Sequence, residues 1–75
     1  MAMEPGERLR ALESQAEAHY NAMYEARYPA GDYADAKDTF AEAIALARQM
    51  GDDATAIRLE ARLQHIKAVF RSQFT

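Results

Sequence analysis

Two clusters of helix breakers divide this chain and limit what it can fold into. Tyr28-Pro29-Ala30-Gly31-Asp32 and Met50-Gly51-Asp52-Asp53 leave three stretches between them and the termini. Within each stretch apolar residues recur at spacings of three and four, and strict alternation is absent, which is the pattern of amphipathic helices. The first helix is expected over about 5–28, with Pro5 in its first turn. Pro29 should end it, because a proline restrains the residue before it from helical angles. The second is expected over about 32–50, with Asp32 as N-cap and Asp35 adding negative charge where the helix dipole favours it. Gly51 suits the left-handed position that closes a helix, and Asp52 or Asp53 can cap a third helix over about 53–73. Short connections force antiparallel neighbours. Residues 1–75 therefore read as one all-α domain, a three-helix up-down-up array.

Placed at 100° per residue, each helix presents one apolar stripe suited to a core. The first offers Leu9, Leu12, Ala16, Tyr20 and Met23, flanked by Tyr24. The second offers Tyr33, Ala36, Phe40, Ala43, Ile44, Ala47 and Met50, and the third Ala56, Leu59, Leu63, Ile66, Phe70 and Phe74. Two further stripes lie away from these: Ala34, Ala41 and Ala45 on the second helix, and Ile57, Ala61 and Ala68 on the third. Their small side chains allow another backbone to come close. Tyr20, Tyr24 and Tyr28 form a ridge at spacings of four, and tyrosine is a frequent interface anchor. The residues expected at a partner or dimer interface are thus Tyr20, Tyr24, Tyr28, Ile57, Ala61 and Ala68.

Gly31, Tyr33, Ala36, Phe40 and Ala43 follow one another at intervals of two, three, four and three residues. That order resembles the turn and second helix of a tetratricopeptide repeat. Ala47-Arg48-Gln49-Met50-Gly51-Asp52-Asp53 is similar to repeats whose second helix ends in Gly-Asp. The likeness covers about one repeat, with the third helix as a cap, and it implies a helical hairpin that binds protein. Upstream the pattern departs: Tyr24 stands where the family has a small residue, and Arg27 where it has an aromatic. About three repeats are needed for such arrays to be stable, so a lone one implies self-association.

Composition points the same way. A chain of 75 residues without cysteine has neither disulfide nor thiolate metal site to reinforce a small core, which leaves association as a common remedy. No apolar run approaches the roughly 18 residues of a membrane span. The first residues, Met-Ala-Met-Glu-Pro-Gly, lack a basic segment followed by an apolar one, so the expected compartment is the cytoplasm. Charge is uneven: residues 29–53 carry six acids and two bases, residues 54–75 one acid and four bases. This suggests complementarity within or between copies before it suggests nucleic acid.

Residues for catalysis are few. No glycine-rich phosphate loop occurs, and His19 and His65 sit on different helices with no metal-binding spacing around them. His19 reads as a hydrogen-bonded histidine at the core edge, and Glu13/Glu17 and Asp35/Asp38 as solvated acid pairs. Arg27 reads as a structural cation with an aspartate of the second helix as partner. The expectation is a protein-interaction module without catalytic residues, metal or cofactor, forming a homodimer or holding a peptide or helix of another protein. The alternative is a small helical regulator touching nucleic acid through Arg58, Arg62, Lys67 and Arg71 of the third helix, should they share an exposed face.

Overall fold

The computed structural model describes residues 4–74; Met1–Met3 and Thr75, the ends of the expected domain, lie outside the described residues. Three α-helices make up the fold: α1 (Pro5–Met23), α2 (Pro29–Gln49) and α3 (Asp53–Gln73). No strand occurs among the described residues. α2 packs on α1 on one side and α3 on the other, in the up-down-up order the short connections require.

The junction between α2 and α3 follows from its residues. Gly51 takes φ +77°, and the Gly51 and Asp52 amides donate to the carbonyls of Arg48 and Ala47 at 3.1 and 2.8 Å. This is a Schellman closure, which satisfies carbonyls that the end of a helix leaves orphaned. Asp52 then caps α3, its Oδ1 accepting from the Thr55 amide at 3.2 Å. Hydrogen bonding to Thr55 holds the Asp52 carboxyl below its ordinary value.

The first junction differs from expectation. α1 stops at Met23, not Tyr28, and α2 begins at Pro29, not after Asp32. Pro29 serves as the first residue of the following helix, where its fixed φ fits and its missing N–H costs nothing. Tyr28 is pushed to φ −126°, ψ 82°, and becomes the N-cap residue, without a side-chain cap bond. Asp32 falls inside the first turn, where it complements the dipole without capping. Residues 24–28 form the connection.

The core follows the wheel closely. Leu9, Ala16, Tyr20 and Met23 of α1, Ala36, Phe40, Ala43 and Ala47 of α2, and Ala56, Leu59, Leu63 and Ile66 of α3 are all buried. Phe40, Met23, Leu59 and Ile66 are its largest fully enclosed side chains. Alanines at 16, 36, 43, 47 and 56, each wholly buried, let the helix axes approach closely enough for Phe40 to fill the remaining space. Met50 departs from the expected stripe: it sits at the α2 C-cap and is exposed.

Phe40→Ala should lower unfolding free energy by about 3–5 kcal/mol, because it removes the largest fully buried side chain among the described residues and leaves a cavity. Gly51→Ala should cost about 1–2 kcal/mol, a purely conformational penalty, since a Cβ there meets nothing within 4 Å. Chemical denaturation of the two variants measures both.

Candidate functional site

Glu13 and Glu17 lie one turn apart on α1, and Arg58 and Arg62 one turn apart on α3. The two pairs meet rung by rung. Arg58 donates from Nη1 and Nη2 to the Glu13 carboxylate at 2.6 and 3.1 Å. Arg62 donates from Nε and Nη2 to Glu17 at 2.6 and 3.0 Å. Because residue numbers rise together along both helices, the ladder fixes α1 and α3 as parallel. The planar guanidinium suits this two-pronged contact, which a lysine would not reproduce. The Glu13/Glu17 pair, expected on a solvated face, stays partly exposed and also makes this interhelical contact. A third pair, Arg48 with Glu60, joins α2 to α3.

The ladder engages half of the basic set that would have served nucleic acid. Arg58 and Arg62 face α1, and the Arg62 guanidinium also lies 4.9 Å over the Tyr20 ring. Nothing in this geometry favours the nucleic-acid alternative.

The tyrosine ridge does not persist as a surface. Tyr20 is buried, and its hydroxyl lies 2.7 Å from that of Tyr24. Burial pushes the Tyr20 phenol above its ordinary value, with the Tyr24 hydroxyl adding to the effect. Tyr24 is half-exposed and meets Phe74 edge-on at 5.3 Å, linking the end of α1 to the end of α3. Nearby, Tyr33 of α2 stacks on Phe70 of α3 at 3.8 Å. Tyr28, in the connection, is 78 % exposed, and the Arg27 guanidinium lies 6.0 Å over its ring. Arg27 pairs with no aspartate among the described residues. Tyr20 and Tyr24 keep their four-residue contact, and ending α1 at Met23 breaks the register only from Tyr24 to Tyr28.

The small-residue stripes have a different outcome. Ala41 and Ala45 of α2 and Ile57 and Ala61 of α3 form the two walls of one open groove of about 590 Å³, over a floor of Ile44 and Leu63. Arg48, Glu60 and Gln64 supply its polar edge. Ile57 is 65 % exposed and continues the apolar wall of the groove out to solvent. Ala34 and Ala68 are exposed on the same helices but lie outside the groove. A smaller cleft of about 280 Å³ lies between α1 and α2, beside Arg8, Leu12, Glu42 and Gln49. Elsewhere His19 of α1 comes together with Asp32 and Asp35 of α2.

No described helix is long and apolar enough to cross a membrane. The Glu13 carboxyl is held below its ordinary value of 4.5, chiefly by hydrogen bonding from Arg58 and against some desolvation. A pKa lowered by folding stabilises the native state fully above the unfolded value, and that stabilisation disappears as pH falls through the folded one. Glu13→Gln should thus cost less than about 1 kcal/mol at neutral pH, since the pair is largely solvated. Its melting curve should converge on that of the wild type as pH drops below the carboxylate range. A deficit of constant size at every pH would mean that Arg58 does not stabilise the ionised form.

No family model, curated protein or solved structure matches this chain, and the groove and its neighbouring residues are what bear on its role.

Proposed function

We propose that this chain is a non-catalytic helical interaction module that associates with a second copy of itself through the groove between α2 and α3. The exposed Ile57 beside the apolar groove is the observation that carries this reading. A two-fold arrangement sets the same patch of each copy against the other, so Ile57 of each can enter the groove of its partner. Alanine walls permit a close backbone approach there.

Charge supports a copy of this chain over an unrelated partner. The groove's polar edge holds one charge of each sign, Arg48 of α2 and Glu60 of α3, so a second copy turned by a two-fold axis brings a complementary pair to it. Exposed pairs of this kind orient an interface more than they strengthen it. The tetratricopeptide-like spacing of Gly31, Tyr33, Ala36, Phe40 and Ala43 supports the same reading, because repeats of that kind cover their faces by stacking on neighbours. The earlier candidates narrow to Ile57 and Ala61, joined by Ala41 and Ala45.

Sedimentation equilibrium across the micromolar range should give a mass that rises from monomer to dimer. Ile57→Glu should abolish the rise and leave the far-ultraviolet spectrum unchanged, since the side chain contributes little to the monomer core. A monomer at every concentration, with a helical spectrum, would refute the proposal.

A further inference from the structure

We propose that His19, Asp32 and Asp35 form a binding site for a divalent transition-metal ion, with zinc as the representative. One imidazole nitrogen and two carboxylate oxygens, drawn from two helices, all lie within 4.8 Å of one another. Zinc held at about 2.0–2.2 Å by nitrogen and oxygen needs its donors roughly 3–3.5 Å apart, a separation that side-chain rotation can reach from here. Three protein ligands leave a coordination position for water, the usual arrangement of an open zinc site. The imidazole selects for zinc and its transition-metal neighbours over magnesium and calcium, which prefer oxygen alone.

The surroundings distinguish this cluster from an incidental one. Where Glu13, Glu17 and Glu60 meet a neighbouring helix, each meets an arginine. Where His19 meets Asp32 and Asp35, two carboxylates gather with no cationic side chain paired to either among the described residues. His19, expected to be hydrogen-bonded, has no hydrogen-bond partner among the described residues either. The N-terminal dipole of α2 favours carboxylates in its first turns without any ion. The His19 imidazole adds a nitrogen donor to these two carboxylates and completes a three-ligand set. His19 and Asp32 are half-buried and Asp35 is exposed, so an ion could enter from solvent and keep a bound water.

The site bridges the Tyr24–Tyr28 connection, joining the last turns of α1 to the first turns of α2. An ion there would tie the hairpin at its least regular point. Binding requires the native approach of the two helices, so it must also raise the unfolding temperature.

The test is calorimetric titration of the intact chain with zinc chloride, paired with thermal melts at increasing zinc. The expected result is one ion per chain and a melting temperature that climbs with zinc, with magnesium producing neither. His19→Ala should weaken binding by at least about tenfold, since it removes the selecting ligand. His65→Ala, on α3, should leave binding unchanged. Asp35→Asn, at an exposed position, gives a second measure should His19→Ala fold poorly, and it should weaken binding as well. Absence of heat and of a melting shift would overturn the proposal. So would zinc binding of equal strength in His19→Ala or Asp35→Asn. Neither outcome bears on dimerisation, which Ile57→Glu tests separately.

Discussion

α2 has to bury apolar surface on two sides at once, and the rest of the structure depends on how it does so. Its buried positions are three alanines and one phenylalanine, Ala36, Phe40, Ala43 and Ala47. The alanines bring α1 and α3 close, and Phe40 fills the space that such an approach leaves between larger residues. Met23, Leu59 and Ile66 complete that enclosure. In so short a chain this one layer is most of the available core, and little else could compensate for its loss.

Packing α1 and α3 against the same helix aligns them in parallel and brings Glu13 and Glu17 level with Arg58 and Arg62. The ladder follows from the core and does not create it, since solvated pairs contribute only fractions of a kcal/mol each. Its contribution is to register. Bidentate contacts one turn apart fit a single axial offset, and a slide of α3 along α1 would place each arginine beside the wrong neighbour. The Tyr24–Phe74 contact sets the same offset at the far end. By holding α3 to α1, these contacts also leave the other flank of α3 bare, and that flank with α2 is the groove.

The junctions show how far local signals reach. Gly51 and Asp52 act as read from the sequence because closure and capping involve only residues within a few positions. Pro29 was legible as a boundary but not as to which helix it belonged to, since a proline both discourages the helix before it and favours the one after. That ambiguity shifted the first junction and broke the Tyr20, Tyr24, Tyr28 ridge after Tyr24. The ladder did carry a signal, the matching four-residue spacing of two acids and two arginines, but it becomes a contact only if the helices are parallel and correctly offset. Asp32 and Asp35 stand three apart on α2, but nothing in the sequence joined His19 to them, because it approaches them only across the turned connection.

The sequence by itself determined that there are three helices, where the last junction falls, and which face of each helix is buried. Those features rest on periodicity and on the preferences of single residues, which act over a turn or two. Only the tertiary structure decided which outward residues meet. The rotation and axial offset of one helix against another are set by how alanines and Phe40 interlock, and a wheel drawn for one helix holds neither quantity. Two stripes of small residues therefore became the walls of one groove, while a third candidate, the tyrosines, was divided between the core, its edge and an exposed turn.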